Sequence, residues 1–309
     1  MKVSKWAWRW QAVDYGLILP LLALLPYALA QRLATLRGAW HARLGRDWAE
    51  LSVGLRYIAD RTAKAAQMLW PHVAANEVVR LRYETVSREE WQGQRLSAHK
   101  LSGLNPDLSA LQNMLTHASP DRGLVVLTAH FDSFIVGMVS LGFCSRQTSV
   151  TTSNEYEQAK VHPPVKAFFD RKYRGAEYFL KGGLFMHVET SLRTLYKRLR
   201  HHQTVVVVAD VPATEQGNGT WLPFLKQERK VANGGFRMAQ ETNSLICAML
   251  CVTQDNGSVS WVCSDIYDPL VETDAEPKLF TFFEQHILAH PGKWWAAHLL
   301  QDFPTRSAA

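Results

Sequence analysis

The plainest polarity pattern in the chain is a set of uninterrupted apolar runs. Gly123 to Ala129 (GLVVLTA), Thr204 to Ala209 (TVVVVA) and Ser244 to Val252 show no alternation with polar residues, which predicts strands covered on both faces. The first run follows the turn-forming Ser119-Pro120-Asp121. Pro164 to Tyr173 and Val188 to Leu199 instead space their apolar residues as helices do. From Gln31 to about His72, Leu33, Leu36, Trp40 and Leu44 recur with arginines between them, which predicts amphipathic helices. Strands alternating with helices imply an α/β fold with a mostly parallel central sheet flanked by helices. No repeat, low-complexity tract or Gly/Ser linker divides it, so residues 32–309 are expected to form one α/β domain behind an N-terminal element at 1–31.

That N-terminal element has its own pattern. Met1 to Trp10 is basic and rich in Trp, and the apolar run Tyr15 to Ala30 follows. Pro20 and Pro26 interrupt the run and no convincing small-residue cleavage site follows it, unlike a signal peptide. It also falls short of the roughly 20 apolar residues that span a bilayer. A helix lying in the membrane interface fits, and an ordinary buried helix is the alternative that such a length allows. Composition favours the interface. The 309 residues carry a formal charge of +6 and eleven Trp, and Trp with Lys and Arg is the mixture that sits at headgroup depth. Nucleic acid is not the expected anion, because the chain has neither zinc-ligand spacing nor a basic-aromatic repeat. Cys144, Cys247, Cys251 and Cys263 lack paired spacing and are expected to be reduced core residues of a cytosolic protein. The histidines His162, His187, His201, His202, His286 and His290 show no metal-ligand spacing, so no metal is expected.

Two residues stand where chemistry is usual in such folds. His130 directly follows the first buried strand, and open α/β sheets bind ligands just outside the carboxyl ends of their strands. A helix beginning near Asp132 or Ser133 would add free N–H groups suited to an oxyanion or phosphate. Asp210 ends the second strand and should emerge near His130 if the two strands are neighbours. Each residue also has a plain structural reading, as a satisfied strand-end histidine and as a turn or cap carboxylate.

Five blocks in order give the chain a family resemblance. They are VVLTAHFDSF; Arg171-Lys172-Tyr173-Arg174-Gly175; VVVVAD followed by WLPFL; Asn233 to Ala239; and Pro291-Gly292-Lys293-Trp294-Trp295-Ala296-Ala297-His298. Together they resemble the lipid A biosynthesis lauroyl and myristoyl acyltransferases. The chain departs from that pattern in two places. Ile135 stands where the family carries Asp or Glu after its motif histidine, and Leu225-Lys226 follows Phe224 where a glycine is usual.

The resemblance implies transfer of a fatty acyl chain from acyl carrier protein or a CoA thioester to a hydroxyl or amine of a glycolipid or lipid-linked saccharide. The setting would be the cytoplasmic face of a bacterial inner membrane. No cofactor beyond the donor thioester is expected, and there is no G-x-S-x-G elbow. His130 would be the general base, with Asp132 as the first candidate to orient it and Asp210 the next; Glu155, Glu157 and Glu189 are further acids. Phe131 and Ser133 would line the substrate site. Arg171 and Arg174 would bind phosphate, or else form a solvated basic face. An apolar groove facing the membrane would select the chain, at roughly 0.8 kcal/mol per buried methylene. Ile135 favours the alternative of an inactive relative that binds lipid or carrier protein.

Overall fold

A computed structural model describes residues 5–100, 103–104, 106–144, 146–153, 160–213 and 217–306. The three apolar runs become β1 (Leu124–Thr128), β4 (Thr204–Val208) and β7 (Leu245–Thr253), joined by β2 (Thr148–Thr152), β3 (Phe185–His187) and β8 (Val259–Cys263). The sheet order is β3-β2-β4-β1-β7-β8, parallel except for the antiparallel edge strand β8. Along β1, Val125 and Leu127 enter one core and Leu124 and Val126 the other. Both faces of the strand are therefore buried, which is why its sequence shows no alternation.

The helices before β1 are α1 (Lys5–Val13), α2 (Leu19–Leu22), α3 (Tyr27–Leu44), α4 (Glu50–Val53), α5 (Tyr57–Leu69), α6 (Ala75–Ser97) and α7 (Ser109–Thr116). After β1 come α8 (Phe134–Phe143), α9 (Pro163–Glu177), α10 (Val188–Arg200), α11 (Gly234–Glu241) and α12 (Ala275–Ala289). A small antiparallel sheet of β5 (Thr220–Phe224), β6 (Gln227–Val231) and β9 (Thr305–Arg306) takes up the WLPFL segment.

The N-terminal run is not one helix. A π-helical turn at Asp14–Ile18 links α1 to α2, and Pro26 precedes α3, so the expected division between residues 31 and 32 falls inside α3. Tyr15, Leu19, Leu22 and Ala23 pack with Trp91, Val165 and Phe168. Asp14 is buried with them, and both its oxygens accept from Arg37, at 2.7 Å to Nε and 2.6 Å to Nη2. Arg37 Nη1 also meets Glu90 at 2.7 Å. The charges thus fasten the N-terminal helices to α6. Val13, Leu17, Leu21, Leu24 and Leu29 face outward instead. No helix among the described residues is long and apolar enough to cross a membrane.

Helix α6 is the centre of the helical layer, although its sequence (ANEVVRLRYETVSREEWQGQRLS) is strongly polar. Three of its buried charges are paired across the layer: Arg82 with Asp47 at 2.7 Å, Glu89 with Lys172 at 2.5 Å, and Glu90 with Arg37. Breaking one partner of such a pair leaves an uncompensated buried charge, which costs about 3–5 kcal/mol.

Candidate active site

The strand register brings His130 and Asp210 together. Thr128 pairs with Val208 at the carboxyl ends of β1 and β4, and each chain runs two residues further to reach its functional side chain. Asp210 is fully buried. Its Oδ1 lies 2.9 Å from His130 Nδ1, and its Oδ2 accepts the His130 backbone N–H at 2.9 Å and the Trp294 indole N–H at 2.7 Å. Burial alone would push this carboxyl up, but the His130 charge and the three N–H donors outweigh it and hold Asp210 below the usual carboxylate range. With a carboxylate on Nδ1, the proton of a neutral imidazole belongs there and Nε2 is the basic nitrogen. The ring stands edge-on to Trp295, with centroids 4.6 Å apart, and 5.0 Å from Phe134.

Asp132, the first-ranked orienting acid, does not meet the ring. Its φ of 43° turns the buried carboxylate toward β7, where Oδ2 accepts from Thr253 N at 2.8 Å and Oδ1 from Thr253 Oγ1 at 2.9 Å. Lys293 Nζ lies 3.0 Å from Oδ2. The carboxylate that meets the ring is therefore Asp210, and Asp132 anchors the loop after β1.

Phe131 and Ser133 also differ from expectation. Phe131 is fully buried in the core and bridged to Trp294, so it does not line a substrate surface. Ser133 is buried as well; its Oγ accepts from Gln92 at 2.9 Å and shares a hydrogen bond with Thr253 Oγ1 at 2.7 Å. Helix α8 does begin beside His130, at Phe134. Ile135 in its first turn is fully buried among apolar side chains.

Arg171 and Arg174 lie on α9. Arg174 is exposed and lines a cleft of about 450 Å³ with Thr152, Asp170, Tyr173, Glu177, Phe185 and His187. This cleft opens beyond β2 and β3. Since β2 is two places from β1, it begins about 10 Å from the His130 strand at ordinary strand spacing. Arg171 is half-buried and is not among the lining residues. Glu189 is exposed in the first turn of α10, away from the ring, while Glu155 and Glu157 lie outside the described residues.

The site also uses residues that motif reading did not single out. Trp294 supplies a donor to Asp210, Trp295 covers the imidazole, and Arg82 Nε holds the Trp295 carbonyl at 2.9 Å. The two tryptophans stood inside the Pro291 to His298 block, which marked the segment but not the partners. His298 is half-buried, and burial with the Arg82 charge pushes its pKa down to about 3, so it is neutral here. All four cysteines are free thiols. Among the described residues no group of three or more His, Cys, Asp or Glu is arranged to hold a metal.

Comparison with known protein families finds no matching family model, and comparison with curated proteins finds no match.

Proposed function

We propose that this protein is an acyltransferase that moves a fatty acyl chain from acyl carrier protein or CoA to a hydroxyl or amine of a glycolipid or lipid-linked saccharide. The observation that carries the reading is the buried Asp210 carboxylate on Nδ1 of a partly exposed His130, at the carboxyl end of a central parallel strand. A base so oriented needs no nucleophilic side chain. His130 Nε2 takes the acceptor proton as the acceptor oxygen or nitrogen attacks the thioester carbonyl carbon. The tetrahedral intermediate then breaks its C–S bond, and the imidazolium returns the proton to the departing thiolate. Asp210 stays ionised and stabilises the imidazolium.

The idea of an inactive lipid-binding relative drew its force from Ile135. Asp210 supplies from β4 the carboxylate that Ile135 lacks, which supports an active enzyme. The membrane setting rests on the outward apolar residues of the N-terminal helices together with exposed Trp6, Trp8 and Trp40. Every charged residue exposed between residues 5 and 44, namely Lys5, Arg9, Arg32 and Arg43, is a cation, as suits an anionic membrane surface such as the cytoplasmic face of a bacterial inner membrane. Arg174 and its cleft would take a phosphate of the acceptor or of the donor arm.

Mass spectrometry of total lipids from cells with and without the gene tests the reading. Acyltransfer predicts a lipid one acyl chain heavier that appears only with the gene and disappears with His130→Ala. Identical lipid profiles in all three strains would refute it.

A further inference from the structure

The segment that carries His130 presents a cation beside it. Residues 130–132 pair antiparallel with 293–295: Trp295 N donates to His130 O at 3.0 Å and Asp132 N to Lys293 O at 2.9 Å, with Phe131 and Trp294 bridged between them. Strand alternation sends Phe131 and Trp294 into the core and leaves His130 and Trp295 on the opposite face, while the positive φ of Asp132 turns its carboxylate to Thr253, where Lys293 reaches it. On that face His130 meets Trp295. The imidazole and the ammonium side chains are similarly open, at 24% and 25% exposure, while Asp132 is buried beneath the lysine.

Lys293 is held in place. Its Nζ lies 3.0 Å from Asp132 Oδ2 and 3.0 Å from the Thr253 carbonyl, which occupies two of the three N–H groups of an ammonium. Thr253 ends β7, on the other side of β1 from β4 and Asp210. The base is thus oriented from one neighbouring strand and the cation from the other.

We propose that Lys293 is a second catalytic residue, whose third N–H holds the oxyanion of the tetrahedral intermediate. The proposal rests on the acyl-transfer reading above. His130 and Lys293 are diagonal neighbours across this antiparallel pair, and such residues stand about 7–8 Å apart. An acceptor oxygen about 2.8 Å from Nε2, the C–O unit it attacks, and a hydrogen bond of about 2.8 Å to the ammonium span a similar distance. As the C–O bond to the acceptor forms, the carbonyl π pair moves onto oxygen and faces Lys293. When the C–S bond breaks, the pair returns to carbon, the thiol leaves with the proton from His130, and Lys293 ends unchanged. A cation fixed beforehand by Asp132 and Thr253 needs no reorganisation at that moment.

The test measures thiol release and acyl transfer by purified full-length protein, with long-chain acyl-CoA and acyl carrier protein donors and a bacterial lipid extract as acceptor. Lys293→Met is expected to lower kcat about 100-fold, with KM within about twofold, and also to lower the melting temperature, because the buried Asp132 loses its cation; kcat is therefore read well below the melting range of the variant. Lys293→Arg should recover part of the loss, because a guanidinium also donates to an oxyanion. If Lys293→Met keeps the parent kcat, or loses only thermal stability, the lysine is a clamp for Asp132 and the proposal is wrong. If the parent itself releases no thiol from either donor, the acyl-transfer reading fails and takes this role with it.

Discussion

Asp210→Asn separates orientation of the base from support of the fold. Asp210 Oδ2 serves two N–H donors, His130 N and Trp294 Nε1, while Oδ1 serves Nδ1 alone. The single oxygen of Asn is best placed at the two-donor position, which turns its NH₂ toward Nδ1. Two donors cannot share that contact, so the imidazole takes the other tautomer and its basic nitrogen faces inward. All three hydrogen bonds to a charged group are exchanged for neutral ones, partly offset because a buried charge is removed, for a net loss of about 1–2 kcal/mol in stability. The rate should fall about 10⁴-fold, the scale seen when a triad aspartate elsewhere is replaced by Asn, equivalent to about 5.5 kcal/mol in the barrier. Because the kinetic effect is several times the stability effect, kcat and calorimetric melting of the same preparation distinguish them. Asp210 is held below the usual carboxylate range, so its contribution to stability is present above about pH 4 and is lost only as pH falls through its lower folded value. A variant that stays within about tenfold of the parent rate would show that Asp210 only supports the fold and would refute the tautomer argument.

Glu50 titrates in the opposite sense. Burial raises its carboxyl from the ordinary 4.5 to about 7, so the folded state holds the proton and stability is lost as pH rises between those values. Glu50→Gln should therefore stabilise the protein by about 1–2 kcal/mol at pH 8 and by almost nothing at pH 4, in urea melts at the two pH values; a gain independent of pH would contradict this. Replacing Leu17, Leu21 and Leu24 by Ser removes about 1 kcal/mol of burial each at a membrane surface, so partition onto anionic phospholipid vesicles should weaken about 100-fold. If the parent does not sediment with such vesicles, the membrane assignment is wrong. Ile135→Glu should lower the melting temperature sharply and reduce transfer, because it places an unpaired carboxylate in the core at a cost of about 3–5 kcal/mol. A rise in activity with unchanged melting would mean that the site lacks a partner that Glu restores.

Much of the sheet was legible because burial on both faces removes polar residues from β1, β4 and β7, and a histidine or aspartate directly after such a run stands out. The pairing of His130 with Asp210 depended on β4 being the neighbour of β1, which long crossovers decide and local sequence does not. Asp132 looked nearer in sequence, but its positive φ carries the side chain to β7. Helix α6 escaped notice for a different reason: its inward positions mix apolar residues such as Val78, Tyr83 and Trp91 with Arg82, Glu89 and Glu90, whose partners Asp47, Lys172 and Arg37 lie 35 to 83 residues away. A hydrophobic period is blurred where a helix buries ion pairs among its apolar residues. Likewise the N-terminal run read as one apolar element because Asp14 lies just outside it, while Arg37, which fixes it in place, lies on α3.

The most direct measurement compares purified parent and His130→Gln for acyl transfer from acyl carrier protein and CoA donors to bacterial lipid extract, with products identified by mass spectrometry and folding checked by melting. The parent should form the acylated lipid and release one thiol per transfer. The variant should melt like the parent and be slower by at least the 10²–10⁴-fold typical of a lost general base. Equal rates for a folded variant and the parent would contradict the account at its centre.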